Sequence, residues 1–137
     1  MNVLGSELGS MAVENVLIVD DSRTSRRMLR EICEDIGLKV IGEAKDGEEG
    51  FLMYKELNPD LVTLDITMPK IDGIQALALI KKYNPEALTV MITAAGQREK
   101  MVQAVKYGAA EFITKPYDKP EVEFLLKKVI EKNEKQF

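Results

Sequence analysis

The sequence predicts an α/β fold, a doubly wound sheet of five parallel strands with helices on both faces. From Glu14 onward, short aliphatic runs alternate with amphipathic segments of helical length, five of each, as repeated βαβ units require. The runs NVLIV, DLVTL, LTVMI and EFIT are too apolar for strands exposed on one side, so helices must cover both faces. Each of these runs is followed or ended by a polar signal: Asp20-Asp21, Asp65, Thr93 and Lys115. Parallel strands would deliver all of them to one carboxyl edge, where ligands and chemistry collect in open α/β sheets.

Taken in order, the strands are expected over roughly 15–20, 39–43, 60–65, 88–93 and 110–114. Ser22 can cap the helix after the first strand. Asp46, with Glu49 three residues on, has the spacing to start the second helix, and Asp118 with Glu121 repeats it for the last. In that last helix Val122, Leu125, Leu126, Val129 and Ile130 form one stripe, while Glu123, Lys127, Lys128, Glu131 and Lys132 fall elsewhere on the wheel. Cys33 sits at helical spacing among Met28, Leu29, Ile32 and Ile36 and reads as a small core residue; as the single cysteine it excludes an internal disulfide. Gly73 and Gly108 are expected to relieve backbone strain.

A chain of 137 residues is one domain by size. Its 23 acidic and 19 basic residues give a net charge of −4 without a basic patch, which argues against nucleic-acid and membrane partners. No apolar stretch approaches a membrane span, and MNVLGSELGSMA lacks the charged start and long apolar core of a signal peptide, so a cytoplasmic location is expected. Residues 1–13 read as a flexible arm, a cloning remnant or the lead-in to an alternative start at Met11, and 14–134 as the folded domain.

Asp20 and Asp21, brought within a few ångströms of Asp65, would repel by roughly 4 kcal/mol per close pair at an effective dielectric near 20. Either one carboxylate stays protonated or a divalent cation sits among them. Oxygen ligands, with no histidine in the chain and no second cysteine, favour Mg²⁺ (or Mn²⁺) over zinc or copper. Such a site can receive a phosphoryl group if it has a nucleophile, a hydroxyl and a cation, which Asp65, Thr93 and Lys115 can supply in that order.

With these residues in this order, the chain from Glu14 to Lys132 resembles the receiver domain of two-component response regulators, of the stand-alone, CheY-like type. The resemblance rests on LIVDD (Asp20, Asp21), LDITMP (Asp65), MITAAG (Thr93) and FITKP (Lys115, Pro116). It implies a flavodoxin-like strand order of 2-1-3-4-5, with Asp65 as phosphoacceptor. It further implies metal ligation by Asp21, Asp65 and the Thr67 backbone carbonyl, Asp20 acting largely through water, and a cis bond before Pro116. Thr93 would move toward the phosphoryl group while Phe112 turns from an exposed to a buried rotamer, reshaping the fourth helix, fifth strand and fifth helix. Phe112 stands where tyrosine is often found, so packing alone must bias its rotamer. Thr67 and Ala95 would leave an attacking water without a strong acidic or amide contact.

The implied partners are a sensor histidine kinase or histidine phosphotransfer protein upstream and, as for chemotaxis-type members, a flagellar switch component downstream. Gln103, Lys106, Tyr107 and Phe112 are the candidate partner face. An intermediate phosphorelay carrier is the alternative. An aspartate-nucleophile phosphohydrolase would want an acid/base Asp where Thr67 stands, so the chain is expected not to be an enzyme beyond its own phosphoryl transfer and autodephosphorylation. A flavin or nucleotide carrier would want a glycine- and hydroxyl-rich phosphate loop where DDSRTS stands.

Overall fold

Successive side chains of a strand point to opposite faces of its sheet, and in β1 (Asn15–Val19) both sets are apolar and almost wholly buried. A computed structural model, which describes residues 12–134, shows what buries them. The remaining elements are α1 (Arg23–Asp35), β2 (Lys39–Ala44), α2 (Gly47–Leu57), β3 (Leu61–Asp65), α3 (Gly73–Tyr83), β4 (Thr89–Thr93), α4 (Arg98–Lys106), β5 (Glu111–Thr114) and α5 (Lys119–Glu134). The strands are all parallel and ordered β2-β1-β3-β4-β5. Leu17 and Val19 pack with Tyr54 of α2, Leu77 and Ile80 of α3 and Ala104 of α4. Val16 and Ile18 point the other way, onto Leu29, Ile32 and Cys33 of α1 and Leu126 and Val129 of α5. Each fully buried aliphatic side chain contributes about 1.5–3 kcal/mol, which is why β1, β3 and β4, buried over all or nearly all of their length, are the inner strands.

Helix starts follow the expected chemistry. Ser22 Oγ accepts from the Ser25 N–H at 3.2 Å, Asp46 from Glu49 at 2.8 Å and Asp118 from Glu121 at 2.9 Å. A further cap had no counterpart in the sequence reading: Asp72 and Gln75 bond reciprocally at the start of α3. Burial pushes the Cys33 thiol up to about 12, as befits a core residue.

Val13, placed in the arm on sequence grounds, is instead 8% exposed and packed into the α1/α5 face, with its N–H donating to Glu134 at 3.2 Å. The packed chain therefore starts ahead of Glu14; residues 1–11 of the expected arm lie outside the described residues. Among the described residues, no helix is long and apolar enough to cross a membrane.

Gly73 couples the fold to the sheet edge. Its N–H donates to the Ile66 carbonyl at 2.8 Å, and a Cβ here would lie 2.2 Å from the Asp65 carbonyl oxygen and 2.7 Å from Ile66 Cα. Backbone cannot yield as a side chain does, so only glycine lets α3 start this close to β3. Gly108, at φ +91°, is a left-handed glycine after α4. We expect Gly73→Ala to lower unfolding free energy by about 1–3 kcal/mol in urea titrations. A cost within error of zero would show that the helix start is free to move away.

Candidate functional site

β1, β3, β4 and β5 end at one edge, and the residues singled out from the sequence meet there. Asp65 and Thr93 are the last residues of β3 and β4, while Asp20 and Lys115 each follow a strand directly. Backbone bonds continue the ladders past the strand ends: the Asp20 N–H donates to the Ala44 carbonyl at 3.0 Å and the Lys115 N–H to the Thr93 carbonyl at 2.7 Å. Carboxylate oxygens of Asp20, Asp21 and Asp65 lie within 4.8 Å of one another.

Asp20 is fully buried, Asp65 is 5% exposed and Asp21 faces solvent. Asp20 Oδ1 accepts from the Ser22 N–H at 2.8 Å, but Oδ2 has no hydrogen-bond partner among the described residues. The nearby cation, Lys115 Nζ, stands 3.8 Å from it and 3.3 Å from Asp65 Oδ2. One ammonium is thus shared between two buried carboxylates. An orphaned, buried carboxylate oxygen is costly unless something else completes its shell. The all-oxygen donor set fits a hard divalent cation.

The electrostatics reflect the same shortage. Burial, then the Asp20 carboxylate, pushes Asp65 up to about 6, against the pull of Lys115 and the Thr67 backbone amide. Lys115 is drawn down by burial, but Asp20 and Asp65 outweigh this and leave it above its ordinary value.

The Lys115–Pro116 bond is cis. Thr67 is exposed beyond β3, and Phe112 is partly buried against the α2/α3/α4 face of the core. The expected partner face divides. Gln103, Lys106 and Tyr107 are exposed but border a groove with Ile74, Gln75 and Ala78 of α3, a lining that does not include Phe112. Helical phase, invisible without the packing, turns this side of α4 toward α3 and away from β5.

Two residues at the edge escaped the sequence reading. Arg26 donates to the Asp20 carbonyl at 2.7 Å and pairs with Glu43 at 3.2 Å, bracing the turn after β1. Gln97 bonds to Thr93, Ala94 and Thr67, so an amide does stand beside Thr67, contrary to the expectation from Thr67 and Ala95. Neither residue sits in a motif; a polar side chain shortly after a strand end was the only signal.

A carboxyl whose folded value is raised binds its proton more tightly in the folded chain. Folding therefore loses stability as pH rises from the unfolded value of 3.8 through about 6, by an amount on the order of 3 kcal/mol for a shift of this size. With divalent cations chelated, we expect Asp65→Asn to exceed the natural chain in stability at about pH 7 and to lose that advantage near about pH 4. Urea unfolding at both pH values measures this; a variant less stable at neutral pH would contradict the account.

The response regulator receiver domain family matches residues 16–127. The chain is 45% identical over 116 residues to the chemotaxis protein CheY of Thermotoga maritima, covering 85% of this chain and 97% of that protein. Against the chemotaxis protein CheY of Halobacterium salinarum the identity is 50% over 109 residues, 80% of this chain and 90% of that one. Among solved structures it is similar to a chain of the CheX–CheY–BeF3–Mg²⁺ complex from Borrelia burgdorferi, with a TM-score of 0.79, 40% identity and coverage of 90% of this chain and 91% of that one. The acidic cluster at the carboxyl edge, the 2-1-3-4-5 sheet and these likenesses agree: the chain belongs to the response regulator receiver domain family, as a CheY-like receiver of two-component signalling.

Proposed function

We propose that the protein is a phosphorylation-operated switch whose phosphoacceptor is Asp65. The observation that carries this reading is Asp20 Oδ2, buried without a hydrogen-bond partner among the described residues and beside two further carboxylates. Asp20, Asp21, Asp65 and the Thr67 carbonyl are the groups that would hold Mg²⁺ (or Mn²⁺). Bound there, the cation supplies positive charge for the equatorial oxygens of a phosphoryl group.

The chain's own residues do the rest. A carboxylate oxygen of Asp65 attacks phosphorus in line with the donor's leaving atom. As the O–P bond forms, the P–N bond of a phosphohistidine donor breaks and its electron pair returns to the imidazole nitrogen. Lys115, 3.3 Å from Asp65, balances charge on one phosphoryl oxygen, and the Thr93 hydroxyl donates to another. Phe112 then follows Thr93 inward by packing. Turnover ends with hydrolysis of the protein's own aspartyl phosphate, so the chain is a switch and no enzyme toward other substrates.

The donor in this reading is a sensor histidine kinase or phosphotransfer protein, and the setting is the cytoplasm, without nucleic-acid or membrane partners. The relatives named as chemotaxis proteins support a flagellar switch component as the target. A small phosphodonor with Mg²⁺ should add one phosphoryl group, seen as a single mass increment, and none to Asp65→Asn. The labelled protein should bind the target more tightly than the unlabelled one. Full labelling of Asp65→Asn would sink the phosphoacceptor assignment; equal binding by both forms would remove the flagellar target.

A further inference from the structure

Thr93 is 1% exposed, so its hydroxyl must find partners inside the protein. The two it has lie on the α4 side: Gln97 Oε1 at 3.1 Å and the Ala94 carbonyl at 3.2 Å. Both are acceptors, and the hydroxyl has one proton to donate. The orientation of the Gln97 amide follows from its other contacts. The Ala94 N–H, 2.8 Å away, can only donate, so the atom facing it is oxygen. Nε2 then points across the site and donates to Thr67 Oγ1. One side chain therefore joins the end of β4 to the loop after β3.

Gln97 also begins α4. It occupies the N-cap position, its side chain makes no capping bond to the helix, and its carbonyl accepts from the Met101 N–H at 3.0 Å. Gln is not among the side chains that commonly cap a helix start, and here it is turned toward the switch hydroxyl instead.

We propose that Gln97 is a positioning residue that latches Thr93 in its resting orientation and ties release of that hydroxyl to the start of α4. The inference rests on Thr93 acting as the switch hydroxyl. To donate to a phosphoryl oxygen on Asp65, Thr93 must give up Gln97 Oε1, so the latch stabilises the unphosphorylated state alone. A contact present in only one of two states shifts the equilibrium by its own free energy. Its removal should favour the engaged state.

The test is the affinity of the full chain for beryllofluoride with Mg²⁺, a phosphoryl mimic. Gln97→Met preserves length and removes all three hydrogen bonds. Thr67 and Ala94 are exposed, so water replaces what they lose and the variant keeps its fold. Gln97→Met should bind beryllofluoride about two- to tenfold more tightly than the natural chain, the range expected for one net hydrogen bond. In a Thr93→Val background the same substitution should change nothing, because the latched hydroxyl is already gone. A gain in affinity that depends on Thr93 is a readout that loosening of the loop would not give. Binding unchanged or weakened by Gln97→Met, or the same gain without Thr93, would overturn the latch alone. Failure of the natural chain to bind beryllofluoride would overturn the phosphoacceptor reading together with it.

Discussion

Two carboxylates, Asp20 and Asp65, are buried at the ends of the adjacent inner strands β1 and β3 with one lysine between them, and the rest of the site answers to that shortage of positive charge. Neither could be there by accident of folding. β1 and β3 are buried on both faces, so the residue that ends each run is carried into the same low-dielectric edge. A hydrophobic core strong enough to bury these strands also forces the charges together. The resulting repulsion is what a divalent cation at this edge would relieve.

The scaffold holds the edge through contacts that tolerate little change. Gly73 allows α3 to begin against the Asp65 backbone, Arg26 grips the Asp20 carbonyl, and Asp72 caps α3 while pairing with Lys100 of α4 at 2.9 Å. The Asp72–Lys100 pair joins the start of α3 to α4, while Gln97 joins the start of α4 to the loop after β3. α4, whose only buried side chain is Ala104, is lightly anchored in the core, and polar contacts at its start therefore weigh heavily in where it sits.

Much of this was legible in the sequence because strand burial and helix capping leave marks within a few residues. The apolar runs gave strands whose limits agree with the structure to within about a residue, and Ser22, Asp46 and Asp118 cap as their spacing suggests. Asp65, Thr93 and Lys115 were visible because each ends or follows such a run. What stayed hidden depends on packing between distant segments. Asp72 and Gln75 have the capping spacing but no apolar run before them to announce a boundary. Gln97 reaches Thr67 across 30 positions, and Val13 is pinned by Glu134 across 121. What the outer face of α4 lines was hidden for a related reason: Gln103, Lys106 and Tyr107 are polar or amphipathic on any wheel, and the position of α3 decides which groove they border.

A divalent cation is expected to relieve the repulsion which folding imposes on Asp20, Asp21 and Asp65. Thermal unfolding of the natural chain at neutral pH, with Mg²⁺ and with a chelator, measures this directly, since a ligand that binds only the folded state must stabilise it. The account predicts a melting temperature that rises with Mg²⁺ concentration, and a rise that is lost in Asp65→Asn. A melting temperature indifferent to Mg²⁺, or one raised equally in both chains, would contradict it.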